Sequence, residues 1–242
     1  MSGLLKFNKW VGLWCGLLLG SIATARGQQV LVQANVADDT VKTTFGPNRR
    51  YFGHVYLGYG LVAGRAGTGA AVRYGGASAE LRGGGRFKTR FSQVVAVNLD
   101  LGYAYLRYEL EQNGQKLVPS PALHRREGLG LHQIYSEISL RLNVGRRGNA
   151  VGRYVDLLAG GSWVAGTRHN TEDAPAPGIG RVETTEYGLP YLRRWSGNVG
   201  TRLGIDRYAL VARHRLSPAF GPAYAAWPEL PRWVVGLEIG LF

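Results

Sequence analysis

The sequence predicts an all-β protein, an eight-stranded antiparallel up-and-down transmembrane β-barrel. Three observations predict this fold: eight segments alternate apolar with polar or small residues, long and short connections alternate between them, and a secretory signal precedes them. Alternation with period two places the two residue sets on opposite faces of a strand. The 242 residues include 36 Gly, 13 Tyr and 6 Trp, a mixture that favours strands over helices.

Hydropathy excludes a polytopic helical membrane protein. The mean hydropathy is −0.11, and a membrane-spanning helix needs a run of about 18 or more apolar residues. Only the stretch from Trp10 to Ile22 approaches that length. A membrane β-barrel is compatible with near-neutral hydropathy, because the lipid-facing and interior residues of its strands average out.

Residues 1–27 have the features of a cleaved signal peptide. Lys6 and Lys9 form a basic start, an apolar stretch follows, and Ala23-Thr24-Ala25 offers small residues for cleavage after Ala25 or Gly27. The only cysteine, Cys15, lies inside the signal, so the mature chain is expected to have no disulfide. Residues 28–50 are interpreted as a periplasmic lead-in, with a short strand or lumen plug as the alternative, and residues 51–242 as the barrel.

The eight segments follow one another from residue 51 to the end of the chain. Their apolar faces, in chain order, carry Val55, Leu57 and Tyr59; Ala79, Leu81 and Phe87; Val97, Leu99 and Leu101; Ile134, Ile138 and Leu140; Val155, Leu157 and Trp163; Trp195, Val199 and Leu203; Tyr208 and Leu210; and Val235, Leu237 and Ile239. Each segment of about 10 residues can cross a bilayer when tilted.

The connections distinguish a barrel from a sandwich. Long polar stretches lie near 64–74, 109–127, 168–193 and 217–231, whereas the links Lys88-Thr89-Arg90, Gly145 to Val151 and Asp206-Arg207 are short. Outer-membrane barrels alternate long outward loops with tight periplasmic turns. A soluble β-sandwich has shorter strands and does not confine its long connections to alternate positions.

The opposite face of the segments carries charges of both signs. The expected interior residues are Glu80, Arg82, Arg86, Asp100, Glu137, Arg141, Asp156, Arg202 and Arg213. Ions in a narrow lumen are stable only when they are paired, and an eight-stranded barrel is just wide enough for its side chains to fill. The sequence therefore predicts a paired network that blocks conduction.

The last strand, RWVVGLEIGLF, ends in an aromatic residue, Phe242. With the signal and the strand pattern, residues 51–242 resemble the small outer-membrane β-barrel family, the porin-like and OmpA- or OmpX-type barrels. The resemblance implies an outer-membrane location in a Gram-negative cell envelope, and recognition of the C-terminal strand by the barrel-insertion machinery. Phe242 is out of register with the apolar face set by Leu237, Ile239 and Leu241, so either the last residue is frayed or Leu241 is the lipid-facing end.

The function that this resemblance favours is a structural or surface-binding role without catalysis. A small passive pore is one alternative. The formal charge of +13 and the pairs Arg49-Arg50, Arg125-Arg126, Arg146-Arg147 and Arg193-Arg194 predict contacts with outer-membrane lipids and lipopolysaccharide, whose phosphates attract long cations. No nucleic-acid partner is expected in that compartment, and a monomer is expected.

A lipid A-modifying esterase is the other alternative. His214, Ser217 and Glu229 could supply a base, a nucleophile and an orienting acid. They resemble the acyloxyacyl hydrolase barrels, the lipid A 3-O-deacylases, which carry His-x-Ser-Asn and a Glu shortly after. Here His214 and Ser217 are three residues apart and Pro218 replaces the Asn, so the favoured interpretation is an interfacial histidine followed by a turn. The five histidines form no metal-binding spacing, and no cofactor is expected.

Overall fold

A computed structural model describes residues 43–145, 148–173 and 180–242. The predicted signal peptide, most of the predicted lead-in and the pair Arg146-Arg147 lie outside the described residues. The strands in this part of the chain are β1 (Tyr51–Ala63), β2 (Val72–Arg73), β3 (Ala79–Arg90), β4 (Val95–Leu110), β5 (Arg126–Val144), β6 (Arg153–Asp173), β7 (Val182–Tyr187), β8 (Trp195–Ile205), β9 (Tyr208–Arg215) and β10 (Trp233–Leu241). No helix among these residues is long and apolar enough to cross a membrane.

Eight of the strands form a closed antiparallel ring. The hydrogen-bonded order is β1, β3, β4, β5, β6, β8, β9 and β10, and β10 pairs back to β1 with Val55 opposite Leu241. A closed ring leaves no unpaired strand edge. The prediction of an all-β antiparallel fold is confirmed, and its hydrogen bonds close a ring through eight of the ten described strands.

Two further strands lie in connections that the sequence predicted to be loops. β2 pairs with the end of β4, and β7 pairs with the end of β6, so the region 168–193 begins as a hairpin extension of the sheet. β5 and β6 are correspondingly long, at 19 and 21 residues. These extensions have polar residues on both faces, which removes the alternation that reveals a strand in sequence.

The first short turn was also predicted at the wrong place. β3 continues through Lys88-Thr89-Arg90, and the turn lies at residues 91–94, where the Ser92 hydroxyl accepts hydrogen bonds from the backbone N–H groups of Val94 and Val95. The second turn, near 145–152, and the third, at Asp206-Arg207, are where they were predicted. Asp206 has a φ of 50°, which a two-residue hairpin turn requires.

The outward faces of the ring form an apolar belt. Leu57 on β1 is 55% exposed and Leu101 on β4 is 46% exposed. Each of the other six strands of the ring also carries exposed apolar residues on its outward face. Exposed aromatic residues lie on both sides of the belt. Tyr59, Tyr103, Trp163, Trp195 and Trp233 lie toward the long loops, and Tyr51, Phe87, Phe91 and Tyr208 lie toward the short turns.

The interior of the ring is filled by side chains at three levels. At the loop end, inward residues such as Leu106 and Val164 pack with loop residues such as Leu189, Phe220 and Leu230 in one buried apolar cluster. Charged side chains fill the middle. At the turn end, Phe52, Val151 and Tyr154 form a second cluster.

Both chain ends of the described part lie at the turn end. The N–H of Gly46 donates to Tyr51 O at 2.8 Å, and Lys88 Nζ donates to the carbonyl of Pro47. Phe242 packs edge-on against Phe52, with ring centroids 5.3 Å apart. Of the two alternatives for the last strand, the structure selects Leu241, which is 48% exposed, as the last residue of the outward apolar face.

Candidate functional site

The centre of the ring holds a network of ten buried charges. Its members share an inward position on the strands of the ring, and they are Arg82, Arg86, Arg141, Arg202 and Arg213 with Glu80, Asp100, Glu137, Asp156 and Glu238. Five cations face five anions, so the network is formally neutral. All nine residues predicted to point inward do so, and Glu238 completes the set.

Two arginine–aspartate pairs join neighbouring strands directly. Arg86 on β3 lies opposite Asp100 on β4, and its Nε and Nη2 donate to the two carboxylate oxygens at 2.9 and 2.8 Å. Arg141 on β5 donates to both oxygens of Asp156 on β6, each at 2.8 Å. Two parallel N–H···O bonds match the planar guanidinium to the carboxylate and fix the geometry of each pair.

Arg202 connects the two pairs, because it donates to both Asp156 and Asp100, and Glu137 and Glu238 join further arginines across the interior. Glu137 Oε1 accepts hydrogen bonds from Arg82 at 2.8 Å and from Arg213 at 3.1 Å. Glu238 accepts from Arg86 at 2.9 Å and from Arg213 at 2.5 Å. Except for the bond between Arg213 and Glu238, whose strands β9 and β10 are neighbours, these bonds link strands that do not pair with each other, so they span the space that a pore would occupy.

Three tyrosines support the arginines from the side, and the first of them is Tyr56, whose ring centre lies 4.3 Å from the guanidinium of Arg86. The guanidinium of Arg141 lies 3.5 Å from the ring centre of Tyr154, and that of Arg82 lies 4.0 Å from the ring centre of Tyr135. Such cation–π contacts stabilise an ion that has lost its water. Gly102 makes room for Tyr135, because a Cβ there would lie 2.4 Å from the phenol oxygen.

The network and the clusters at the two ends leave little free space along the ring axis. A cavity of about 40 Å³ remains between the charges and the loop-end cluster, beside Asn198, whose buried Oδ1 accepts no hydrogen bond from the protein. That volume accommodates only one or two water molecules.

His214 faces outward at the loop end of β9, as its parity with Tyr208 and Leu210 predicted. Its ring lies 4.6 Å from the ring of Trp233, and its Nδ1 is buried without a hydrogen-bond partner. It shares no hydrogen bond with Ser217 or Glu229, and all three residues are within the described part of the chain.

Ser217 and Glu229 are held by other groups. The Ser217 hydroxyl accepts a hydrogen bond from the backbone N–H of Gly197 at 3.0 Å. Glu229 Oε1 accepts from the N–H of Ala219 at 2.9 Å and forms an ion pair with Arg215 at 2.9 Å. In this arrangement the hydroxyl has no base, and Glu229 stabilises the loop between β9 and β10.

Of the arginine pairs predicted to contact lipid headgroups, Arg125-Arg126 and Arg193-Arg194 lie at the loop ends of strands, whereas Arg49-Arg50 precedes β1 at the turn end. Arg125 precedes β5 and Arg126 begins it, with side chains 65% and 55% exposed, and they pair with Glu172 and Glu109. Arg194 precedes β8 and donates to the carbonyl of Val164 at 3.4 Å. No group of His, Cys, Asp and Glu suited to a metal ion is found in the described ranges.

The list of interior charges predicted from the sequence left out Glu238, although the last strand's alternation placed it opposite the apolar face, and the prediction gave the three supporting tyrosines no role. Glu238 lies between glycines on a strand whose inward face is otherwise almost featureless, but its parity with Gly236 and Gly240 already placed it inside. Tyr56, Tyr135 and Tyr154 occupy inward positions of their strands. The sequence signal that could have identified these tyrosines is their position on the same strand face as the predicted interior charges.

Comparison with known proteins gives a distant structural likeness. The sequence matches no protein-family model and no curated protein. Among solved structures, the chain is similar to the N-terminal β-barrel domain of Pseudomonas aeruginosa OprF, at 15% sequence identity over 78% of this chain and 95% of that chain, with a TM-score of 0.28. A likeness this distant says nothing about function.

Proposed function

We propose that this chain is an integral outer-membrane β-barrel protein with a closed lumen and a structural or surface-binding role. The observation that carries the proposal is the apolar belt around a closed ring whose interior is charged and paired. A water-soluble protein has the reverse arrangement, and it rarely exposes a contiguous apolar patch of more than a few hundred Å².

The edges of the belt support a membrane position. Tryptophan and tyrosine prefer the membrane–water interface, where the ring contacts lipid and the polar atom contacts water. Trp163 and Trp195 lie side by side at the loop edge with ring centroids 6.4 Å apart, and Phe87 and Tyr208 lie toward the other edge. The signal predicted at residues 1–27 directs the chain to the envelope, where an outer-membrane barrel inserts.

The proposed role is non-catalytic. The three residues of the esterase alternative bind different partners, and the passive-pore alternative conflicts with a lumen that is filled along its axis. A surface-binding role fits the long loops, which join β1 to β3, β4 to β5, β6 to β8 and β9 to β10 at one end of the ring. The monomeric state is part of the proposal, because one chain closes the ring.

Cell fractionation tests the proposal. The protein should sediment with the outer membrane, resist extraction by alkaline carbonate, and migrate faster on a gel when unheated than after boiling. Closed barrels resist detergent unfolding at room temperature, which produces that difference. Recovery as a soluble periplasmic species, with one mobility before and after boiling, would overturn the proposal.

A further inference from the structure

A cavity of about 320 Å³ opens on the outward face of the sheet where β4, β5 and β6 extend beyond the apolar belt. Its floor is formed by Gly128 and Gly130, which occupy outward positions of β5. A Cβ on Gly130 would lie 2.8 Å from the phenol oxygen of Tyr105, so a side chain there would displace that ring. Two glycines in a row of outward positions therefore create the concavity.

Arginines form the solvent-facing wall of this cavity. Arg107, Arg126 and Arg181 have side chains that are 44%, 55% and 57% exposed. Their carboxylate partners lie beneath them, since Glu109 and Glu172 have side chains only 4% and 9% exposed. A ligand entering the cavity meets these guanidinium groups before it reaches Glu109 and Glu172, and the carboxylate exposed at the rim beside Arg181 is Glu183, whose side chain is 52% exposed.

The pairing leaves an excess of positive charge. Glu109 is shared by Arg107 and Arg126, and Glu172 is shared by Arg125 and Arg181. The cavity lining itself is formally neutral, because it holds four arginines and four glutamates, Glu127 and Glu183 among them. The positive excess comes from Arg125 and Lys116, which lie beside the lining and pair with Glu172 and Glu127.

Arg168 is the fourth arginine of the lining. It donates to the phenol oxygen of Tyr105 at 2.9 Å, and it has no ion pair with a carboxylate in the described ranges. Its guanidinium keeps donors that a ligand can use.

The cavity lies at the level of lipid headgroups in a membrane-inserted barrel. Tyr105, which contributes to its wall, is two residues beyond Tyr103 of the loop-side aromatic row. Phosphates of the outer leaflet lie just outside such a row. Guanidinium groups bind phosphate oxygens through two parallel hydrogen bonds, and a cavity of this size accommodates a headgroup-sized ligand.

We infer that this cavity binds the phosphate-bearing headgroup of a glycolipid of the lipid A class. The inference rests on the proposed function, because only an inserted barrel presents the cavity to the outer leaflet. Arg107 and Arg168 contact the phosphate, and the glycine floor admits the sugar. The cavity thereby selects this lipid from the bulk membrane.

Native mass spectrometry of the purified full chain, refolded in detergent, tests the inference. The probes are bisphosphorylated lipid A, the same lipid with both phosphates removed, and inorganic phosphate. Two variants address the cavity: the double substitution Arg107→Gln and Arg168→Gln removes charge, and Gly128→Leu fills the floor without changing charge. Arg65→Gln, in the loop after β1 and outside the cavity lining, is the matched control.

The expected result is one bound lipid A, held at least ten-fold more tightly than the dephosphorylated lipid. Both cavity variants should lose at least ten-fold in affinity, and Arg65→Gln should bind as the natural protein does. Equal binding of the two lipids, or equal loss in Arg65→Gln, would overturn the inference. Saturation by inorganic phosphate with no gain from the lipid would assign the cavity to a free anion and overturn it as well.

A folding and insertion test distinguishes a failure of this inference from a failure of the proposed function. Each protein is first checked for the gel shift on boiling and for insertion into liposomes. An inserted barrel that binds no lipid A contradicts only the inference. A chain that forms no heat-modifiable, membrane-inserted species contradicts both.

Discussion

Glu238 on β10 and Arg202 on β8 belong to strands that do not pair, yet Arg202 Nε lies 2.9 Å from Glu238 Oε2 inside the closed ring. This contact is an ion pair without hydrogen-bond alignment, because Arg202 Nε has no aligned acceptor. Glu238 also accepts hydrogen bonds from Arg86 and Arg213. The last strand of the ring is therefore tied to β3, β8 and β9 by one carboxylate.

Replacing Glu238 by Gln should lower the free energy of unfolding by about 3–5 kcal/mol, because the three arginines around it lose a buried counter-charge. Urea titration of the refolded protein measures the loss. Glu111→Gln is the control, since Glu111 is exposed in the loop after β4 and its loss should stay within about 0.5 kcal/mol. A loss below about 1 kcal/mol for Glu238→Gln would show that the network tolerates an unpaired arginine.

Leu101→Lys tests whether the apolar belt contacts lipid. Leu101 lies mid-belt, and a lysine at the bilayer midplane costs about 2–4 kcal/mol. Leu123→Lys is the matched control, because Leu123 is similarly exposed, at 58%, but lies in the loop between β4 and β5. Unfolding in lipid vesicles should separate the two variants by at least about 2 kcal/mol. Equal stabilities would mean that water, and not lipid, surrounds the belt.

Period-two alternation made most of the fold predictable. It fixes which face each residue occupies, so Arg141 and Asp156 could be assigned to the interior before their pairing was known. Alternation does not reveal a strand whose two faces both contact water, because both faces then carry polar residues. For this reason β7 and the outer part of β6 were predicted to be loop. Lys88 was assigned to a turn because a polar triplet resembles one, although its side chain is buried inside the sheet.

The candidate sites were less predictable than the fold. Parity placed His214 on the outward face correctly, but it could not show that the N–H of Gly197 binds the Ser217 hydroxyl. That partner is twenty residues away along the chain and comes close only because β8 and β9 pair. The lipid-binding cavity depends in the same way on the extended ends of β4, β5 and β6 and on β7, and only the pair Arg125-Arg126 in this region was singled out from the sequence.

The filled interior predicts that the protein conducts no ions. Reconstitution into planar bilayers should give no large, steady conductance, since the charge network and the loop-end cluster close the ring at separate levels. The double substitution of Glu137 and Arg213 to Ala removes one of the ion pairs that cross the interior, and it should at most produce brief channel openings. A stable channel in the natural protein would favour the passive-pore alternative.

Ser217→Ala distinguishes a binding role from an esterase. The hydroxyl accepts one backbone hydrogen bond, so its removal should cost about 0.5–1.5 kcal/mol of stability. In an esterase the same change would abolish ester cleavage. Mass spectrometry of lipid A from cells with and without the protein should show identical acylation. Loss of one acyl chain that depends on both Ser217 and His214 would contradict the non-catalytic proposal.

The loop between β4 and β5 should open in acid. It is anchored outside the belt by Glu127, which accepts hydrogen bonds from His169 at 2.8 Å, from Gln112 at 3.1 Å and from Lys116. Burial alone would raise the pKa of Glu127, but these hydrogen bonds outweigh it and hold the pKa below the usual value of 4.5.

A carboxylate with a lowered pKa stabilises the folded loop fully above its unfolded pKa, and that stabilisation disappears as pH falls through the folded value. Hydrogen–deuterium exchange of residues 111–125 measures it. At pH 6, Glu127→Gln should exchange at least ten-fold faster than the natural protein, whereas Glu111→Gln should not. The difference in exchange rate between Glu127→Gln and the natural protein should become smaller as the pH falls below 4.5, because Glu127 then becomes protonated and neutral, like the glutamine. A difference that is constant across this range would mean that the charge of Glu127 does not anchor the loop.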